Sequence, residues 1–140
     1  MSTKNLVIDS SVMVKWASSQ DEEWLDQSGR VIDDWQAGKV VLYAPELAKY
    51  EVGNAVQKKL LALPASRAAL TTIYASPVEF VPQDEENALR TMEIAQENGM
   101  RFYDAAFVSL SENLGADLVT ANPKHQKKFP GVKVIELKDY

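Results

Sequence analysis

The strongest constraint on the fold is the alternation of short apolar runs with longer helical segments. Each apolar run has the length and the branched or aromatic content of a β-strand. Strands separated by helices form parallel sheets, because the chain must cross a face of the sheet to reach the next strand. The sequence therefore predicts an α/β fold with a mainly parallel sheet and helices on both faces. The predicted strands are Leu6–Asp9, Val40–Ala44, Val78–Val81, Leu118–Thr120 and Val132–Leu137.

Capping residues and helix breakers mark the segments between these runs. Ser10 or Ser11 begins the first helix, and Pro45 suits the first turn of a third that extends to about Leu61. The other helices are predicted to start at Asp21, Pro64, Asp84 and Tyr103, with glycines as stop signals at 38, 99 and 115, and residues 123–129 as a short helical turn. No repeat or linker interrupts the pattern, so residues 1–140 are expected to form a single domain.

The composition excludes several classes of site. The chain has no cysteine, which removes disulfides, thiolate metal sites and cysteine nucleophiles. Its apolar runs are far shorter than a signal sequence core or a membrane span, so a cytoplasmic location is expected, with no membrane partner. The net charge of −5 argues against binding nucleic acid through whole-chain attraction. Any contact with nucleic acid must therefore depend on a local arrangement of residues.

Side chains with oxygen ligands follow the predicted strands at one edge of the sheet. Asp9 ends the first strand, Glu51 lies in the helix after the second, and Asp104 lies in the first turn of a later helix. Thr120 and Asn122 leave the end of the fourth strand. Sites in open parallel sheets lie at the carboxyl ends of the strands. Acids that converge there repel one another unless a cation neutralises them, and Mg²⁺ or Mn²⁺ prefers oxygen ligands.

Each acid also has a purely structural interpretation. Asp9 before two serines suits a helix cap, and Asp104 near a helix start suits the helix dipole. Glu51 is compatible with an exposed helix position, although Ala48 and Val52 beside it favour partial burial. The joint placement at one edge of the sheet favours a metal site over three separate structural roles.

Four motifs along the chain carry a family resemblance. DSSVMVKW, beginning at Asp9, resembles the D-x-S-V-x-x-K-W opening of PIN domains, specifically the VapC-type toxin ribonucleases of toxin–antitoxin pairs. PELAKYEVGN, ending at Asn54, resembles the second motif of that family, and YDAAFVSLSE, beginning at Tyr103, resembles the third. LVTAN, ending at Asn122, resembles the fourth, T-x-D or T-x-N. The motifs occur in the family's order over nearly the full length.

The resemblance implies a three-layer α/β/α domain that uses Mg²⁺ or Mn²⁺ to cleave RNA. It implies an antitoxin protein as partner and a homodimer. Asp9, Glu51 and Asp104 would be catalytic residues and metal ligands, with Asn122 as a further ligand that lacks the charge of the acidic form. The implied supporting residues are Ser11, Asn54 and Thr120.

Basic residues beside the predicted site offer contacts to RNA phosphates. They are Lys15, Lys124, Lys127 and Lys128. A solvated, lysine-rich turn is an equally good interpretation of the last three. The single histidine, His125, cannot form a zinc site alone and is expected to be a surface residue.

Two other functions remain open from the sequence. A Mg²⁺-dependent phosphoacceptor module also combines a doubly wound sheet with an acidic pocket, but it usually has two adjacent acids after the first strand, where this chain has Ser10 and Ser11. A PIN domain that has lost activity and only binds a partner is the other alternative. The neutral Asn122 is the feature that suggests it.

Overall fold

The structure is a computed structural model that describes residues 2–59 and 62–140, and within them it forms a five-stranded sheet. The strands are β1 (Lys4–Ile8), β2 (Val40–Pro45), β3 (Glu79–Val81), β4 (Asp117–Thr120) and β5 (Val134–Glu136). Their order is β3-β2-β1-β4-β5, and every neighbouring pair is parallel. The predicted parallel α/β fold is confirmed. The order differs from the 2-1-3-4-5 order of phosphoacceptor receiver domains, which argues against that alternative.

The helices form two layers, one on each face of the sheet. Right-handed crossovers place the helices between β1, β2 and β3 on one face of the sheet. After β3 the chain returns across the sheet to β4 in the opposite direction, so the helices before β4 lie on the other face. Accordingly α1 packs against α2, α3 and α4, while α5 packs against α6. The helices are α1 (Ser10–Ala17), α2 (Leu25–Gln36), α3 (Leu47–Lys58), α4 (Leu63–Tyr74), α5 (Glu85–Glu97) and α6 (Phe102–Leu114), with 3-10 turns at Gln126–Lys128 and Leu137–Asp139.

Two predicted helix starts are wrong. Pro45 does not open a helix: it ends β2 in register with Val81, a position at the end of a strand that proline tolerates. The acids at 21–23 do not form the first turn of α2, because Asp21 and Trp24 adopt the left-handed backbone conformation and the helix begins at Leu25. α3 ends at Lys58, and its predicted end at Leu61 lies outside the described residues.

A three-way ion pair explains why the 18–24 loop is not helical. The Glu22 carboxylate lies 2.9 Å from the Nζ atoms of both Lys15 and Lys59, and Lys15 also lies over the ring of Trp24. Lys59 donates to the carbonyl oxygens of Ser18 and Gln20 as well. These contacts stabilise a loop conformation that the acids alone would not adopt.

The core lies on both faces of the sheet, as expected for parallel strands covered by helices. Leu6, Val7 and Ile8 of β1 are buried, and so are Leu118 and Val119 of β4. This packing fixes the two strands whose ends hold the candidate site. Within the described ranges, no helix is both long enough and apolar enough to cross a bilayer.

Candidate active site

The candidate site lies where the sheet changes its direction of winding, between β1 and β4. The backbone N–H of Asp9, just past β1, donates to the carbonyl oxygen of Val119 in β4 at 2.9 Å. Thr120 ends β4 and is buried. The switch point of a parallel sheet leaves a crevice at the carboxyl ends of its strands, and ligands bind there. The predicted location of the site is therefore a real feature of the fold.

Asp9 both caps α1 and faces this crevice, so its structural and functional interpretations are compatible. Its Oδ2 accepts from the backbone N–H of Ser11 at 3.0 Å and from the Ser11 hydroxyl at 2.6 Å. Its Oδ1 accepts from Nε2 of Gln126 at 3.0 Å. The donors are all neutral, so they orient the carboxylate without cancelling its charge.

Ser11 and Thr120 form the hydrogen-bonded floor behind Asp9. The Ser11 oxygen accepts from the backbone N–H of Ala121 at 3.0 Å and lies 3.4 Å from the Thr120 hydroxyl. The Thr120 hydroxyl in turn accepts from the backbone N–H of Asn122 at 3.0 Å. These bonds tie α1 to the end of β4, which is the kind of support predicted for both residues.

Glu51 projects from α3 into the same pocket. Its Oε1 accepts from the Ser10 hydroxyl at 2.9 Å. Burial raises the pKa of the Glu51 carboxyl, and the charges of Asp9 and Asp104 raise it further, against the opposing effects of the Ser10 hydrogen bond and the Arg101 charge. The three predicted acids are therefore close enough to repel one another electrostatically.

Asp104 lies in the first turn of α6 and forms an ion pair. Its Oδ2 accepts from Nε of Arg101 at 3.1 Å, three residues earlier in the chain. The Arg101 side chain is 78% exposed, whereas that of Asp104 is 18% exposed. An exposed basic side chain thus contacts one oxygen of a partly buried acid.

These side chains surround an open pocket of about 430 Å³. Of the predicted site residues, Asp9, Ser11, Glu51, Asn54, Asp104 and Asn122 line it, while Thr120 lies behind Ser11. Asn122 is exposed at the rim. The structure adds residues that were not among the predicted site residues, namely Ser10, Lys58, Arg101 and Gln126.

The side chains of the pocket suit a hard divalent cation, but their observed arrangement does not form a metal site. Among residues 2–59 and 62–140, no three Asp, Glu or His side chains are grouped so as to hold a single ion. The acids of the pocket nevertheless offer oxygen ligands, and the pKa of Glu51 is raised mainly by burial, with further contributions from the charges of Asp9 and Asp104. Asp9, Glu51 and Asp104 therefore fit Mg²⁺ or Mn²⁺ by chemistry, while one oxygen of Asp104 is paired with Arg101.

The predicted RNA-contacting lysines are not in this pocket. Lys15 is buried against Glu22 and Trp24, so its ammonium does not face the solvent of the site. Lys127 pairs with Glu136, and Lys128 donates to the carbonyl oxygen of Gly99. Lys124 is exposed. The basic residues that line the pocket are instead Lys58 and Arg101.

Gln126 is one of the pocket residues that the sequence did not predict. It is 2% exposed and holds Asp9 through Nε2, while its Oε1 is buried without a hydrogen-bond partner. The amide orientation follows from Asp9, because a carboxylate needs the donor end of the amide and would repel the carbonyl end. Its position in a lysine-rich stretch gave no sign of this role.

The structure is a three-layer α/β/α domain with an acidic pocket at the switch point of an all-parallel sheet, and comparison with known proteins identifies its family. The family model "PIN domain" matches residues 6–131, so the chain belongs to the PIN domain family. A ribonuclease, VapC3 of Pyrobaculum aerophilum, is 31% identical over 137 residues, which cover 91% of this chain and 96% of that protein. The resemblance predicted from the four motifs is confirmed.

Solved structures show the same fold. The VapBC2 structure from Rickettsia felis, bound to a promoter DNA fragment, matches with a TM-score of 0.70 at 15% identity, covering 94% of this chain and 98% of that one. A toxin–antitoxin complex from Klebsiella pneumoniae matches with a TM-score of 0.67 at 17% identity, covering 94% and 97% of the two chains. At these identities the matches establish the three-layer fold alone.

Proposed function

We propose that this protein is a Mg²⁺- or Mn²⁺-dependent endoribonuclease that cleaves RNA phosphodiester bonds as the toxin of a toxin–antitoxin pair. The observation that carries the proposal is the convergence of Asp9, Glu51 and Asp104 on one pocket at the switch point of the sheet. The similarity to a VapC3 ribonuclease over nearly the whole chain supports RNA as the substrate.

Each pocket residue has a distinct part in this chemistry. A bound divalent cation would supply Lewis-acid stabilisation of the charge that develops on the phosphate. Asp9, Glu51 and Asp104 would hold the cation, and the lone pairs left free on their oxygens would orient the attacking water. Ser10 orients Glu51, and Ser11 with Gln126 orients Asp9. Asn54 and Asn122 add neutral oxygen atoms at the rim.

The proposed partners are an antitoxin protein and a second copy of the chain, in the cytoplasm. Structures of toxin–antitoxin complexes with the same fold support the antitoxin. Static light scattering at micromolar concentration tests the homodimer. A molar mass of a single chain would contradict it.

Asp104→Asn tests the proposed activity, because it removes one negative charge and keeps the shape of the side chain. We expect Mn²⁺-dependent cleavage of single-stranded RNA to fall by about 100-fold or more, the usual cost of losing a group that organises transition-state charge. Asp26→Asn is the matched control, since Asp26 also lies in the first turn of a helix but outside the pocket. Cleavage that persists in Asp104→Asn, or in excess EDTA, would contradict the proposal.

A further inference from the structure

Arg101 is the basic residue that contacts a pocket acid directly. It directly precedes α6, and its Nε donates to Oδ2 of Asp104 at 3.1 Å. Its charge also opposes, to a small extent, the rise in the pKa of Glu51 that burial causes, so Arg101 acts on Glu51 as well as on Asp104. Lys58 of α3 lines the pocket as well.

Asp9 and Glu51, the other two acids, accept hydrogen bonds from neutral groups instead of forming ion pairs with residues that the structure describes. Both oxygens of Asp9 accept from neutral amide and hydroxyl groups, and Glu51 accepts from the Ser10 hydroxyl. These donors keep the acids in place without neutralising them. Asp104 alone among the three has an ion-pair partner in the described residues. Competition between a protein cation and a metal ion is therefore confined to Asp104.

We propose that Arg101 is an exchangeable counter-ion of Asp104: it pairs with Asp104 while the pocket holds no divalent cation, is displaced when one binds, and then binds a phosphate of the RNA backbone. This inference rests on the proposed function for its last step.

The exposure of the pair makes the exchange easy. An ion pair whose arginine is 78% exposed contributes little to stability, because water screens it and the long side chain must be ordered. A divalent cation carries twice the charge and enters without that ordering. The displaced guanidinium stays charged at any physiological pH, and its planar fork matches the oxygens of a phosphate. Exchange thus turns a contact of the metal-free protein into a substrate contact.

Calorimetric titration of Mn²⁺ alone, without RNA, tests the first step. Arg101→Gln removes the competing charge, so we expect Mn²⁺ to bind about threefold to fivefold more tightly, the range that loss of an exposed ion pair allows. Arg101→Lys keeps the charge and should stay within about twofold of wild type. Arg67→Gln is the matched control, because Arg67 is an exposed arginine on α4, which contributes nothing to the pocket. Equal Mn²⁺ affinities for wild type and Arg101→Gln would overturn the inference.

The salt dependence of kcat/KM for RNA cleavage tests the second step. Each phosphate contact to single-stranded nucleic acid contributes about 0.7 to the slope of log affinity against log salt. We expect Arg101→Gln to reduce the slope by about that amount and Arg67→Gln to leave it unchanged. An unchanged slope in Arg101→Gln would overturn the phosphate contact.

The two proposals fail in different ways. If wild type cleaves RNA with Mn²⁺ but Arg101→Gln binds Mn²⁺ no more tightly, the ribonuclease function stands and the exchange falls. If Mn²⁺ affinity rises in Arg101→Gln but no variant cleaves RNA, the exchange with the metal ion stands and the ribonuclease function falls, together with the RNA contact.

Discussion

Gln126 donates a hydrogen bond from Nε2 to Oδ1 of Asp9 across 117 residues of sequence, and both side chains are buried. The bond joins the 3-10 turn after β4 to the end of β1. It leaves Oε1 of Gln126 buried and without a partner, a cost that a purely structural residue would avoid. Gln126 therefore positions the first acid of the site.

Gln126→Leu should weaken Mn²⁺ binding by about 10-fold to 100-fold, the usual effect of losing a residue that orients a metal ligand. Leucine keeps a similar volume but removes the donor to Asp9, so the carboxylate is free to rotate. Calorimetric titration measures the affinity, and Gln96→Leu on the exposed face of α5 is the control. Wild-type affinity in Gln126→Leu would show that Asp9 is held well enough by Ser11 alone.

Glu51→Gln should stabilise the metal-free protein near pH 7, with a rise in Tm of about 2–4 °C, which corresponds to about 1 kcal/mol in a domain of this size. The folded pKa of Glu51 lies above the ordinary value of 4.5, so the charged carboxylate destabilises the fold at pH values above its folded pKa. As pH falls below 4.5, Glu51 is protonated in both states and the difference disappears. Thermal unfolding in EDTA across pH measures this.

The same variant provides its own internal check, because Glu51→Gln should lose the stabilisation that added Mn²⁺ gives to wild type. Glu97, an exposed acid at the end of α5, provides the control. Glu97→Gln should change neither the Tm of the metal-free protein nor the stabilisation by Mn²⁺. A metal-free Tm that does not rise would mean that neither burial nor the neighbouring acids destabilise the charged form of Glu51.

Asn122→Asp should tighten Mn²⁺ binding and lower the stability of the metal-free protein near neutral pH. The exposed amide lies at the rim of the pocket, and an aspartate there adds a fourth negative charge. We expect roughly a fivefold gain in affinity, the effect of about 1 kcal/mol. Calorimetry and thermal unfolding decide the matter. Equal Mn²⁺ affinities and equal metal-free Tm values for wild type and Asn122→Asp would place Asn122 outside the site, with a role only in the turn before Pro123.

Glu22→Gln should destabilise the fold by about 3 kcal/mol near pH 7, because it leaves the buried Lys15 ammonium without its counter-charge. The pKa of Glu22 is lowered, since the hydrogen bonds and charges of Lys59 and Lys15 outweigh the opposing effect of burial. The stabilisation is therefore present above pH 4.5 and is lost as pH falls through the folded pKa. Urea unfolding near pH 7, and again at a pH below the folded pKa of Glu22, measures the loss of stability. Glu23→Gln is the control, and an equal loss there would rule out a specific pair.

Local patterns predicted the elements that form the frame of the site. Five apolar runs gave five strands, and the parallel sheet placed Asp9 and Thr120 at one edge. Glu51 and Asp104 could be placed because strand ends of a parallel sheet meet at a common edge, and the four motifs of the family occur on these segments. Helix starts were less predictable. Pro45 suits the first turn of a helix as well as the last position of a strand, and sheet pairing decides between them.

Residues whose roles depend on distant partners could not be predicted. Lys15 was predicted to contact RNA, but its side chain is buried against Glu22 and Trp24. Arg101 was not recognised because its significance comes from its ion pair with Asp104 and from its charge effect on Glu51, which lies on a different helix. Gln126 depends on a single contact to the other end of the chain. Sequence spacing does not encode such contacts, and they appear only when the sheet brings the segments together.

The central position of β1 has a consequence for synthesis. β1 is made early and can pair with β2, but its other neighbour, β4, begins only at Asp117. Asp9 then needs Val119 and Gln126 before its backbone and side chain are fixed. At about 5–20 residues per second, the 117 residues between Asp9 and Gln126 take about 6–23 s to translate. A ribosome-bound chain therefore carries Asp9, Glu51 and Asp104 for part of that time without an assembled pocket, and the site is completed only after Gln126 has been synthesised.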